Sequence, residues 1–143
     1  MTTTPPDSET IRRMFDDIAP RYDLFNRLTS LGMDKHWRRK VLEPLRPGMR
    51  MLDLGCGTGD LSLEASIKLG SSGQITALDF SENMLAMARE RYRALGSPMN
   101  GRFHLIQKRA EDLPFEKEYD LVVSGFVLRN LYEMRNLAQQ IWQ

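Results

Sequence analysis

The sequence predicts an α/β protein, a parallel doubly wound sheet of four strands behind a set of N-terminal helices, and three observations predict it. The run MRMLDLG at 49–55 is short, apolar and closed by glycine, as expected of a strand buried on both faces. From there strand-like runs alternate with amphipathic helical patterns, the grammar of a sheet built from crossover units. Before Gly48 the periodicity is helical only.

Residues 1–10 are polar and carry Pro5-Pro6, a composition that does not repay its own ordering, so a disordered tail is expected. A helical segment over 11–46 follows. Ile11, Met14, Phe15 and Ile18 make one helix face, Leu24, Phe25 and Leu28 continue the pattern, and Trp37, Val41 and Leu45 mark a last helix before Pro47-Gly48. The remaining residues, 47–143, form the α/β domain. After the first strand a helix should run from Asp60 to about Leu69, then turn at Ser71-Ser72-Gly73 into a strand through Ile75, Ala77 and Leu78 to Asp79. Ser81 is a good N-cap for a helix with Leu85, Ala88, Tyr92 and Leu95 on one stripe, which Gly96-Ser97-Pro98 ends. Phe103, Leu105 and Ile106 give a third strand, Leu121–Val123 a fourth, and Leu131, Met134, Ala138 and Ile141 a closing helix.

Composition narrows the function classes. Of 143 residues, 41% are hydrophobic and 27% charged, which fits a single globular core. A net charge of +1 provides no global field for nucleic acid. One cysteine cannot close an internal disulfide, and with two histidines it makes a poor metal-ligand set, so no metal is expected. No apolar stretch approaches the roughly 20 residues needed to span a bilayer, and a cytoplasmic protein is expected.

The chemistry starts at Asp53-Leu54-Gly55-Cys56-Gly57-Thr58-Gly59, where strand turns into helix and glycines let backbone amides approach a ligand. A dinucleotide fingerprint needs its third glycine where Asp60 stands, so the spacing is wrong for NAD. Asp60 also puts a carboxylate where a pyrophosphate would sit, which favours a cationic or zwitterionic ligand. Asp79 ends the second strand twenty positions after Gly59, in place to accept both hydroxyls of a ribose. S-adenosylmethionine meets these conditions together. The cofactor-binding set is then Asp53, Gly55, Cys56, Gly57, Gly59 and Asp79, with Phe80 and Met84 lining the crevice or packing the core.

The stretches MFDDIAPRYDLFNRLTSLGMDKHWRRK, LDLGCGTGD, DFSENML, DLPF and FVLRN together resemble the ubiquinone/menaquinone biosynthesis C-methyltransferases, from Ile11 to the last residue. The resemblance implies a Rossmann-like methyltransferase fold. It also implies methylation of a ring carbon on a polyprenylated benzoquinol or demethylmenaquinol, at a membrane surface. The family usually has Asp or Asn where this chain has Arg109; a guanidinium cannot accept from the adenine amine, which leaves backbone groups near Ala110 and Glu111 to read the base. The family pattern continues past Gln143, so roughly the last third of the fold is expected to be missing from these residues.

Arg129 and Asn130 follow the fourth strand, on the side where ligands bind in open α/β sheets. Arg129 is assigned to stabilising the developing phenolate, while Tyr22, with Asp23 and Asn26, is placed in a lid over the quinol, Tyr22 or His36 relaying a proton. From 11 to 50 there are ten Lys and Arg against five Asp and Glu. The run Lys35 to Lys40 fits either contact with anionic lipid head groups or a solvated helix face. A fourth strand with no proline or inward charge on its outer edge, beside a helix that lacks part of its supporting layer, predicts a homodimer or higher oligomer.

Overall fold

The computed structural model describes residues 9–10, 13–14, 17, 34–96, 102–109, 112 and 118–125. The helix read over Leu131 to Ile141, and most of the helical pattern before Met33, lie outside them. Glu9 and Thr10 are already helical, inside the stretch read as tail, and Arg13 Nε pairs with Glu9 Oε1 one turn away at 3.2 Å.

Helix α1, Asp34–Val41, ends earlier than the sequence pattern implied. Glu43 precedes Pro44, and a residue before proline is pushed out of helical backbone, so the chain leaves the helix in a turn over Leu42, Glu43 and Pro44. Lys68 Nζ donates to the freed carbonyls of Leu42, at 2.6 Å, and Glu43, at 3.3 Å. The buried residues here are therefore Leu42 and Leu45, while Trp37 and Val41, read as the inner stripe, are exposed.

Strand β1, Arg50–Leu54, is followed by helix α2, Asp60–Leu69, strand β2, Gln74–Asp79, helix α3, Glu82–Ala94, and strands β3, Phe103–Gln107, and β4, Leu121–Val123. All pairings are parallel and the strand order is β3-β2-β1-β4, as the alternation of strand and helix predicts. Met51 of β1 lies opposite Ile75 of β2 and Leu121 of β4. At the start of β1 the Arg50 amide donates to Asp120 Oδ2 at 2.7 Å and the Asp120 amide to Arg50 O at 2.8 Å, joining positions 70 residues apart.

The core is two-sided because β1 is central. Met51 joins Leu42, Leu45, Leu61, Ala65, Leu69, Ile75, Ala77 and Val123 in one cluster, whereas Leu52, Leu54 and Leu78 form another with Ile106, Tyr119 and Val122 against it. Each fully buried Leu, Ile or Met contributes about 1.5–3 kcal/mol, which is why the apolar run was legible as a strand. In α3 the predicted stripe holds for Leu85 and Ala88, and the Tyr92 ring stacks on Phe103 with centroids 4.2 Å apart. Leu95 departs from it: as the C-cap residue it lies past the last packed turn and is exposed.

Candidate functional site

The strand order reverses direction at β1, with β2 on one side and β4 on the other, so a crevice opens beyond their carboxyl ends. Three segments converge on it. The loop 55–59 leaves β1, Asp79 ends β2, and Ser124 follows β4, its Oγ donating to Leu54 O at 3.0 Å.

Asp79 organises this end of the sheet. It is buried, and its two carboxylate oxygens accept different backbone amides, Oδ2 from Gly57 and Oδ1 from Ser81, each at 2.9 Å. One ionised acceptor thus ties the loop after β1 to the turn after β2, and bonds of this charged kind are about twice as strong as neutral ones. The Cys56 amide extends the β1–β2 ladder one step by donating to Leu78 O at 2.8 Å. Gly57 then takes φ 54°, a left-handed conformation that presents its amide to Asp79 and that a side chain disfavours. Gly59, at φ 86°, is bare for another reason, because a Cβ there would stand 3.0 Å from Ala88 Cβ. Its missing side chain lets α3 pack against the start of α2, so Gly59 serves helix packing as well as the left-handed end of the loop.

Beneath the loop, Asp53 is 1% exposed and accepts from Ser62 Oγ at 2.6 Å. Burial pushes its carboxyl up to about 7; the Ser62 bond opposes this and the Asp79 charge adds to it. Burial also raises the Cys56 thiol well above its ordinary range, with Asp53 and Asp79 adding to the effect, which disfavours the thiolate.

Asp60 is not the bare carboxylate that its position in the sequence suggested. Arg38 Nη1 of α1 reaches Asp60 Oδ2 at 2.8 Å, and Arg91 Nη2 of α3 pairs with Asp60 Oδ1. Two guanidiniums compensate its charge, so repulsion by Asp60 does not decide the ligand. The glycine spacing and Asp79 remain as the features that favour S-adenosylmethionine. Arg91 and Ser62 are not singled out by the sequence, and Arg38 and Thr58 stand there only as members of the basic run and of the glycine loop. The hydroxyls of Ser62 and Ser66 on the buried face of α2 are the local signal that a polar partner lies beneath the loop.

Of the other predicted residues, Gly55 opens the loop with φ 70°, Phe80 is half-buried beside Asp79, and Met84 is buried at 1% exposure in the first turn of α3, where packing accounts for it. Lys108 N donates to Asp79 O at 2.9 Å, which carries the chain from β3 past the site to Arg109, exposed at the surface. In the basic run Lys35, His36, Trp37, Arg39 and Lys40 are exposed, whereas Arg38 is turned inward to Asp60 and Glu64. Tyr22, Asp23, Asn26, Ala110, Glu111, Arg129 and Asn130 lie outside the described residues.

The arrangement suits S-adenosylmethionine. A carboxylate at the end of a strand is an acceptor of the kind that a ribose diol requires. Gly55 and Gly57, both left-handed at φ 70° and 54°, add no side chain to the loop that leaves β1, and the Asp79 carboxylate suits a sulfonium cation.

Comparison with known proteins points in the same direction. The model of the ubiE/COQ5 methyltransferase family matches residues 3–143. A demethylmenaquinone methyltransferase of Desulfitobacterium hafniense is 43% identical over 92% of this chain and 52% of its own length. The ubiquinone/menaquinone biosynthesis C-methyltransferase UbiE of Geobacter sulfurreducens is 42% identical over 87% of this chain and 49% of its own. The chain therefore spans about half the length of the curated relatives it matches. Among solved structures, an S-adenosylmethionine-dependent methyltransferase from Mesorhizobium loti superposes with a TM-score of 0.59 at 27% identity, over 73% of this chain and 45% of that one. The [4+2]-cyclase SpnF superposes with a TM-score of 0.76 at 23% identity, over 95% of this chain and 55% of that one. A cyclase catalyses a different reaction, so the shared architecture speaks to the fold alone.

Proposed function

The chain belongs to the ubiE/COQ5 methyltransferase family, and from that membership we propose that it is the cofactor-binding part of a quinone-biosynthesis C-methyltransferase. The reaction is methylation of a ring carbon of a polyprenylated benzoquinol or demethylmenaquinol. The observation that carries the reading is the Asp79 carboxylate bound to the amide of Gly57, which ties the proposed ribose acceptor to the glycine loop at one end of the sheet. S-adenosylmethionine supplies an electrophilic methyl group on a sulfonium. Asp79 would hold the ribose, the backbone at Gly55 and Gly57 would bed the amino-acid portion, and backbone near Ala110 and Glu111 would read the adenine. The protein's contribution is orientation, since the methyl donor is already activated. Arg129 and Asn130 are proposed to face the quinol, with Arg129 stabilising a phenolate, and Tyr22 to close over it.

Peripheral contact with anionic lipid is proposed for the outer face of α1, on which Lys35, Arg39 and Lys40 are exposed with Trp37. No helix among the described residues is long and apolar enough to cross a membrane. Self-association is proposed at β4, which stands at the edge of the sheet among the described strands.

The test pairs calorimetry of S-adenosylmethionine binding with methyl transfer to a demethylated quinol. Binding with transfer supports the proposal in full. Binding without transfer leaves a binding module, and tighter binding of NADH than of S-adenosylmethionine defeats it.

A further inference from the structure

Asp60 stands directly after the glycine loop, and its two oxygens face two different helices. Arg91 of α3 engages it through Nη2 and uses Nη1 on the loop itself, donating to Thr58 O at 3.0 Å and to Thr58 Oγ1 at 3.1 Å. Thr58 is buried. The planar guanidinium thus fixes the carbonyl and hydroxyl of one loop residue and the carboxylate two positions on, a span that a point-charge ammonium cannot cover at once. On the other side Arg38 of α1 donates from Nη1 to Asp60 Oδ2 at 2.8 Å, and its Nε lies 3.4 Å from Glu64 Oε2, an ion-pair contact without hydrogen-bond geometry. The cluster has two guanidiniums and two carboxylates, so its charges compensate. All four side chains are between 19% and 37% exposed, so solvent screens these pairs less than fully exposed ones. At Gly59, between Thr58 and Asp60, the close approach of Ala88 leaves the backbone little freedom to absorb a shift of α3.

We propose that Arg91 is a positioning residue for the glycine loop, and that the chain Arg38–Asp60–Arg91 links the seating of α1 to cofactor affinity. The inference rests on the reading of this loop as the S-adenosylmethionine site and adds a coupling to it. With Arg38 in place, Asp60 is held from both sides and Arg91 keeps its fork on Thr58. With Arg38 gone, Asp60 and Arg91 share one bond, and the loop samples conformations less suited to the ligand. A protein whose competent loop is only a fraction of the population binds with its affinity reduced by that fraction. Coupling is reciprocal, so cofactor binding tightens the attachment of α1.

The test is a double-mutant cycle on the full chain, Arg38→Met, Asp60→Asn and both together. The dissociation constant for S-adenosylmethionine is read by calorimetry at a temperature where circular dichroism shows every variant folded. Arg38→Met alone should weaken binding by about five- to tenfold, within the ordinary range of coupling between sites. In the Asp60→Asn background the same change should have less than a twofold effect. Arg91→Lys, which keeps the charge but loses the fork, should weaken binding as Arg91→Met does. Should Arg38→Met not fold, Arg38→Lys takes its place in the cycle. A lower melting temperature with unchanged affinity for Arg38→Met, or effects that simply add, overturns the coupling and leaves the cluster a structural tie. If the unsubstituted chain does not bind S-adenosylmethionine, the cofactor reading fails and this inference with it. If it binds and the cycle is flat, only this inference fails.

Discussion

Asp79 accepts the Gly57 amide at 2.9 Å, so the acid that closes β2 also sets the backbone of the loop that leaves β1. Ligand recognition and loop geometry share one side chain, and substitutions at either residue should disturb both.

Asp79→Asn is the sharper of the substitutions at this position. Asparagine has one acceptor oxygen, and its amide group would face either the Gly57 or the Ser81 N–H donor to donor. Charged hydrogen bonds contribute about 1.5–3 kcal/mol each, so loss of one should weaken S-adenosylmethionine binding by roughly ten- to a hundredfold. Calorimetry on the folded variant checks this, and unchanged affinity removes Asp79 from the site.

Gly57→Val should abolish binding and also lower stability. A valine there must adopt φ near 54°, which costs about 1–2 kcal/mol or more for a β-branched side chain. Thermal unfolding without ligand should show the loss, and a melting temperature equal to that of the parent would mean that the loop can relax to negative φ.

Gly59→Ala should destabilise the fold by a comparable amount through a different contact, its Cβ meeting Ala88 at 3.0 Å in a left-handed conformation. Combining it with Ala88→Gly relieves the contact but not the backbone strain. Partial recovery of stability in the pair is the expected result; none at all would place the cost in the backbone alone.

Asp53 predicts a stability profile against pH. Its folded carboxyl titrates at about 7 against an ordinary value of 3.8, so folding favours the protonated form. This contribution is fully present below about pH 4 and is lost as pH rises through 7, at a slope approaching about 1.4 kcal/mol per unit. Asp53→Asn, which can still accept from Ser62, should flatten urea-denaturation stability across that window. A variant that keeps the parent's slope would assign it to other groups.

Much of this fold is legible in the chain because β1, β2 and β4 are apolar runs closed by Gly, Asp or Ser, so burial and punctuation coincide. Asp79 was legible for the same reason, standing at the end of a strand. The end of α1 was not, because the apolar period through Trp37, Val41 and Leu45 competes with Pro44, and steric exclusion before proline prevails. Nor was the compensation of Asp60, whose partners lie 22 and 31 residues away on helices that only the sheet brings together. Nor was the packing role of Gly59, since nothing local reveals that Ala88 would occupy the space of its missing Cβ.

The reciprocal bonds between Arg50 and Asp120 have a consequence for how the chain assembles as it is made. β1 can pair with β2 once the intervening helix is out, but its other flank waits for a partner 70 residues downstream. At synthesis rates of about 5–20 residues per second, that flank is open for several seconds or more. An apolar strand exposed on one side for that time is a target for chaperones and for wrong partners. The centre of the finished sheet is thus its most vulnerable part in the nascent chain.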